Sequence, residues 1–299
     1  MSRTYRHNKR NRFWGRAKRR PLKRITILPS LITLLNGVLG FAAIVLASTP
    51  TGETPGTSSH FALAGYFILF AMVADMLDGR LARMSQTTSS FGGQLDSLCD
   101  MISFGVAPAF IMLKLIQTRL LVSGWAHTQF IQRFLWLAAL AYVICAAIRL
   151  ARFNVENEEP ANEHMAFIGL PSPAAAGLVL SFVLFHQELI PDWNQVLWIL
   201  PVLAFCAGAL MVSRIPYPHV LNHFLRGKKP FGHLIKTLVF LGLVWCGGLQ
   251  TALLLISISF ASSGVVRVVL VKLGRKQEIL ASDTAAETLP PQPSSQENL

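Results

Sequence analysis

The chain has 299 residues, 52% of them hydrophobic and only 14% charged, with a mean hydropathy of +0.46. That is too apolar for an ordinary soluble domain, and several runs approach the ~20 residues a helix needs to cross a bilayer. The net charge is +12, but eleven Lys or Arg and no acid lie in the first 24 residues; twelve minus eleven leaves +1 for the rest, so the basic excess is one local tail.

In chain order, residues 1–24 form a basic cytoplasmic tail, a positive-inside topology signal to which lipid headgroups add attraction. No aromatic-interleaved recognition module follows, so no nucleic acid is expected as a partner. Apolar runs then fall at about 26–46, 60–75, 95–116, 134–150, 171–188, 194–213, 233–247 and 249–270. Lipid cannot satisfy the hydrogen bonds of an open backbone, so these eight runs predict an all-α, polytopic transmembrane bundle. An even count places both termini in the cytoplasm. On that placement 24 of the 27 Lys and Arg are cytoplasmic, and only Lys114, Arg119 and Arg133 lie toward the far side.

The expected organisation is a six-span core over 25–220, a two-span hairpin over 221–272 and a polar tail over 273–299. Its "KQEILASDTAAETLPPQPSSQENL" has the composition of a disordered segment. Val45-Leu46-Ala47 resembles a signal-peptidase site, but the run before it is too long for a signal peptide, and the first span is expected to remain. Cys99, Cys145, Cys206 and Cys246 lack paired spacing and read as small buried hydrophobes.

One stretch carries chemistry. Residues 75–100, "DMLDGRLARMSQTTSSFGGQLDSLCD", place Asp75, Asp78, Asp96 and Asp100 at the cytoplasmic ends of the second and third spans. An ionised Asp at the bilayer centre costs ~2.5–3.5 kcal/mol, and clustered like charges repel unless something positive sits among them. Asp75 and Asp78 are i,i+3 and Asp96 and Asp100 are i,i+4, so each pair shares a helix face, with Cβ atoms ~5–6 Å apart. Two such helix ends packed together enclose a carboxylate pocket.

Arg80 and Arg83 bring two positive charges against four negative ones. Two hard divalent cations, Mg²⁺ or Mn²⁺, match better, and they keep positions open for water or phosphate. Paired metals ~3.5–4 Å apart recur where a nucleophile displaces a group at phosphorus. Gly79, Gly92 and Gly93 remove side chains where a ligand must approach the backbone, and Ala82 keeps the next turn small. The plain alternative is tight helix packing in lipid.

The pattern Asp75-x2-Asp78-Gly79-x2-Ala82-Arg83-x8-Gly92-x3-Asp96-x3-Asp100 resembles, at every defined position, the signature of the CDP-alcohol phosphotransferase family. The resemblance implies an integral-membrane enzyme that displaces CMP from a CDP-linked substrate with an acceptor hydroxyl. It implies that Asp75, Asp78, Asp96 and Asp100 hold a binuclear metal site, with Asp100 also the general base. It further implies that Gly79, Ala82, Arg83 and Gly92 surround the cytidine diphosphate, with Ser89 or Ser90 adding a hydroxyl. Family members are commonly homodimers, so a homodimer is the expected assembly. One departure is visible: the first span carries Pro29-Ser30 where the family has Pro-Asn, before the expected Thr33, Asn36 and Gly40. Ser30 keeps a capping-competent side chain.

Around this core, "FGGQLDSLCDMISFGVAPA" (91–109), "RLARFN" (149–154), "FIGLPSPAAAG" (167–177) and "LMVSRIPYP" (210–218) resemble the bacterial, integral-membrane phosphatidylserine synthase branch of the family. The donor implied is CDP-diacylglycerol, the acceptor L-serine, and the location the inner (cytoplasmic) membrane with the active site facing the cytoplasm.

A serine carboxylate needs a fixed cation. Arg149 and Arg152, with Asn154, stand at the cytoplasmic end of the fourth span, and Arg214 at that of the sixth; Arg grips a carboxylate or lipid phosphate through paired hydrogen bonds. The alternative is that they only mark the positive edge of their spans. Asn36, inside an apolar span, reads equally as an interhelical hydrogen bond or as part of the substrate pocket. Ser103 is expected to back-bond within its own helix more readily than to touch substrate. Pro171 and Pro173 suit a first helical turn.

Two other functions compete. One is a sister transferase acting on glycerol 3-phosphate or an inositol phosphate. The other is a cation-binding transporter, which would distribute its acids along a transmembrane path rather than at one face.

Overall fold

The computed structural model describes residues 27–49, 59–84, 90–122, 129–158, 169–215 and 248–271, together with Tyr217 and Val244. Among these residues there is no strand. The helices are α1 (Ile27–Ser48), α2 (His60–Met84), α3 (Ser90–Asp100), α4 (Ala107–Val122), α5 (Gln129–Glu158), α6 (Ser172–Leu189), α7 (Ile199–Val212) and α8 (Gly248–Val271). A π-helical turn, Met101–Val106, joins α3 to α4 without a break, and a 3₁₀ turn, Asn194–Trp198, leads into α7.

Among the described residues, six helical stretches are long and apolar enough to cross a membrane: Ser30–Ser48, His60–Leu81, Phe91–Arg119, Gln129–Val155, Asn194–Val212 and Gly248–Val271. The predicted spans lie on helices wherever the structure describes them. The 171–188 run is α6, which is shorter and carries His186, Gln187 and Glu188 in its last turn. It sits inside the bundle with most of its length buried. The 233–247 run lies, apart from Val244, outside the described residues.

The α3–π–α4 rod forms the centre with α6, and α1, α2, α5 and α7 pack around them. Most of the Phe91–Arg119 stretch is buried, whereas little of α8 is, so α8 lies on the rim. The core is built from Phe104, Ile111, Met112, Ile116, Tyr142, Leu180 and Leu200. Large side chains such as Leu31, Phe41, Phe70, Leu137 and Phe205 point outward; an outward apolar surface is what lipid contact requires.

Small residues let the helices approach. On α1, Thr33, Asn36, Gly37, Gly40, Ala43 and Ala47 form a buried stripe at helical spacing. A Cβ on Gly40 would stand 2.3 Å from Ser103 Oγ and 2.7 Å from Ser103 Cα, so the contact exists only because Gly40 has none. At the entry to α6, Gly169 adopts φ 91°, and a Cβ there would lie 2.3 Å from Met211 O. Its N–H donates to Ile215 O at 2.9 Å, and that of Leu170 to Leu210 O at 3.0 Å, tying this entry to the end of α7. Pro171 caps α6 and Pro173 occupies its first turn, where no helical N–H is lost. α8 is pinned at its middle by Tyr217, whose hydroxyl donates to Ala261 O at 3.0 Å, and near its start by Gln250, which bonds Tyr66 and Glu188.

Two local expectations are corrected. Cys206 faces outward on α7, because the uniformly apolar span gives no periodicity from which an inner face can be read; Cys99 is buried, and Cys246 lies outside the described residues. Ser30 stands inside the first turn of α1, which starts at Ile27, rather than at its cap.

Candidate functional site

The second predicted run ends at Asp75, but α2 continues to Met84, because the polar residues beyond it interrupt hydropathy without interrupting helix formation. Asp75 and Asp78 thus project from a continuous helix, and Asp96 and Asp100 from the last two turns of α3. Carboxylate oxygens of Asp75, Asp78 and Asp96 all lie within 4.8 Å of one another. Asp78 and Asp100 are buried, and Asp75 and Asp96 half-buried.

α1 closes the site from the other side. The Thr33 hydroxyl donates to Asp78, and one turn later Asn36 Nδ2 donates to Asp100 Oδ1 at 2.9 Å. The resemblance implies four metal ligands; three carboxylates are gathered, and the fourth, Asp100, has one oxygen engaged by α1. Asp78 Oδ2 and Asp96 Oδ1 are buried without a hydrogen-bond partner. Such oxygens need a positive partner, and Arg80 does not supply one through its Nε, which is itself buried and unbonded. A donor set made only of carboxylate oxygens, two of them orphaned, fits a hard divalent cation.

The glycines leave open space beside the acids. A Cβ built on Gly79 or on Gly93 meets no atom within 4 Å, so neither glycine is there to let helices touch. Gly92 is half-buried beside them. Ser97, between Asp96 and Asp100, donates to Asn154 Oδ1 at 2.8 Å and to Gly93 O at 3.1 Å, which ties α5 to the glycine turn. Asn154 is therefore brought to the acid-bearing helix. Ala82 and Arg83 ride the last turn of α2, but their side chains, with the whole of Ser89, lie outside the described residues.

The arginines divide. Arg149 is buried; its Nε donates to Leu170 O at 2.6 Å and its Nη1 to Ser172 Oγ at 3.3 Å, so it clamps α5 to the entry of α6. Arg152 reaches Val212 O at 3.4 Å, at the end of α7. Arg214, just beyond that end, is exposed. None of the hydrogen bonds described for the three runs to the aspartates.

The π turn begins immediately after Asp100. A wider turn changes the direction in which following side chains leave the helix, and such turns recur at functional sites. It aims Ser103 across the interface, where its hydroxyl donates to Asn36 O at 2.8 Å rather than back into its own helix; this corrects the back-bonding expectation, and the missing Cβ of Gly40 explains the reach. Tyr142, fully buried, donates to Phe104 O within the same turn at 3.0 Å. Thr33, which the family resemblance names without a role, joins the site through its hydrogen bond to Asp78. Its signal was present: two polar residues at i,i+3 in an otherwise apolar span.

The family model described as CDP-alcohol phosphatidyltransferase matches residues 26–212. A Helicobacter pylori protein named CDP-diacylglycerol–serine O-phosphatidyltransferase is 34% identical over 231 residues, covering 77% of this chain and 86% of its own. A Methanocaldococcus jannaschii protein of the same name is 31% identical over 247 residues, covering 82% and 96%. A Saccharomyces cerevisiae protein of that name is 33% identical over 212 residues, covering 62% and 69%. Because the family match runs unbroken from α1 through α7 and takes in all four aspartates, the chain belongs to the CDP-alcohol phosphatidyltransferase family.

Proposed function

We propose that this chain is a CDP-diacylglycerol–serine O-phosphatidyltransferase, joining the phosphatidyl group of CDP-diacylglycerol to the hydroxyl of L-serine and releasing CMP. The observation that carries the chemistry is the gathered Asp75–Asp78–Asp96 group, with two orphaned oxygens beside open space at Gly79 and Gly93. The serine assignment is supported by relatives of that name at 31–34% identity over most of the chain.

In this reading Asp75, Asp78, Asp96 and Asp100 hold two divalent cations, Mg²⁺ or Mn²⁺. When bound, the metal supplies positive charge at the diphosphate oxygens, stabilising the departing CMP. Asp100 takes the proton of the serine hydroxyl as that oxygen attacks phosphorus; the new P–O bond forms as the bond to CMP breaks. Gly79, Gly92 and the end of α2 with Ala82 and Arg83 line the nucleotide seat. Arg149, Arg152 and Asn154 shape the acceptor side, with the first two acting through the segments they clamp. The site faces the cytoplasm, on the side of the basic tail.

The test uses washed membranes containing the protein, supplied with CDP-diacylglycerol and with serine, glycerol 3-phosphate or an inositol phosphate as competing acceptors. Serine-dependent release of CMP, abolished by a chelator and restored by Mg²⁺ or Mn²⁺, is the expected result. Incorporation of another acceptor with none of serine would overturn the assignment.

A further inference from the structure

Asn36 is the polar side chain whose placement the acid cluster alone does not explain. It is completely buried, with 0% exposure, in the middle of the small-residue stripe of α1. Its Nδ2 holds Asp100 Oδ1 at 2.9 Å, while its Oδ1, on the same planar amide, has no hydrogen-bond partner. The amide cannot simply turn over to satisfy that oxygen, because doing so would set it against the carboxylate. Its backbone is fixed as well: Ser103 donates to Asn36 O at 2.8 Å, and the next turn, at Gly40, is pressed against Ser103.

Asn36 therefore presents two features side by side. One is a carboxylate whose orientation is fixed by the hydrogen bond on its Oδ1. The other is a buried amide oxygen that awaits a donor.

On the serine reading above, we infer that Asn36 positions Asp100 toward the acceptor hydroxyl and receives an N–H of the acceptor's ammonium on its own Oδ1. The chemistry matches the pairing: serine carries its hydroxyl and ammonium on neighbouring carbons, so one molecule addresses both oxygens together. Glycerol 3-phosphate and inositol phosphates carry no ammonium and leave the amide oxygen unpaired, which disfavours them. Asn36 is thus both a positioning residue for the base and a discriminator among acceptors.

The experiment compares the full-length protein with Asn36→Leu, which keeps the branched shape and removes both polar atoms, and with Asn36→Ala, which also leaves a void. CMP release is followed while serine and CDP-diacylglycerol are varied separately, and thermal unfolding is recorded for each protein. The expected result for Asn36→Leu is a kcat lowered by about 100-fold, the scale of a misplaced catalytic group. Its KM for serine rises several-fold, its KM for CDP-diacylglycerol stays within twofold of wild type, and its Tm is unchanged.

A kcat within twofold of wild type overturns the inference. So does a loss of kcat accompanied by a raised KM for CDP-diacylglycerol and a lowered Tm, partly rescued from Ala to Leu, since that pattern belongs to packing. A lower kcat with unchanged KM for serine overturns the ammonium contact. The wild-type arm keeps the two readings apart: a wild-type enzyme that turns over another acceptor but not serine refutes the serine assignment. Asn36→Leu measured with that other acceptor then reads the positioning of Asp100 alone.

Discussion

At the scale of single residues, the site is a set of carboxylates two of which are held by side chains of α1. Asp78 is taken by Thr33 and Asp100 by Asn36, while Asp78 Oδ2 and Asp96 Oδ1 remain without protein partners. Removing the proton acceptor tests its role directly. Asp100→Asn keeps the shape and is expected to lower CMP release by about 10²–10⁴-fold, the range of general-base catalysis, with the protein still inserted and folded. Retained turnover would remove the base assignment. Gly79 gives a cleaner separation of stability from function. An added Cβ meets nothing, and Ala is better than Gly in a helix by about 1 kcal/mol, so Gly79→Ala is expected to hold or raise the Tm. If the nucleotide sits there, the KM for CDP-diacylglycerol rises in the same variant; an unchanged KM would show the space to be idle.

At the scale of elements, the site depends on the register of α1 against the π turn. Gly40, Ser103 and Asn36 form one contact, in which a missing Cβ, a hydroxyl and a backbone carbonyl set how far along α3 the Thr33–Asn36 pair falls. Gly40→Ala puts a methyl where 2.3 Å separates it from Ser103 Oγ. Overpacking of this kind costs about 1–3 kcal/mol. A measurable fall in Tm is expected together with a loss of kcat, because shifting α1 breaks the Asn36–Asp100 bond. A variant with wild-type Tm and wild-type kcat would show the contact to be slack. The same scale explains Arg149: its hydrogen bonds to Leu170 and Ser172 fasten α5 to the proline-capped start of α6, a placement that hydropathy along either span does not reveal.

At the scale of the whole molecule, the chain is an integral membrane protein that encloses a small polar cluster in an apolar core and turns large apolar side chains outward. Asp78, Asp100, Asn36, Ser103 and Arg149 are buried, while Leu31, Phe70 and Leu137 are exposed to the surroundings. Lipid inverts the usual rule, since apolar side chains lose nothing by facing hydrocarbon and polar ones gain partners inside. The eleven basic residues of the first 24 give an orientation to test. A reporter fluorescent only in the cytoplasm, fused separately to each end, is expected to shine from both. A dark N-terminal fusion in cells that contain the full-length protein would reverse the proposed face of the site.

The sequence by itself determined the helical class, most of the span positions and the identity of the acid-bearing stretch. Each of these is local: apolar runs of bilayer length, a basic tail, and aspartates at helical spacing. Asp75, Asp78, Asp96 and Asp100 were legible because acids between apolar runs are costly without a purpose. The tertiary structure alone decided that three of the four carboxylates gather, that Asp100 is drawn to α1, and that Ser103 looks across rather than along its helix. It also decided that Gly79 and Gly93 border space while Gly40 closes a contact. The contacts of α1 rest on a register between helices 64 residues or more apart in the chain, where Asn36 meets Asp100 and Ser103. The small and polar stripe of α1 marks its inner face, but a stripe on one helix does not fix how far that helix slides along its neighbour, so only packing could set the register.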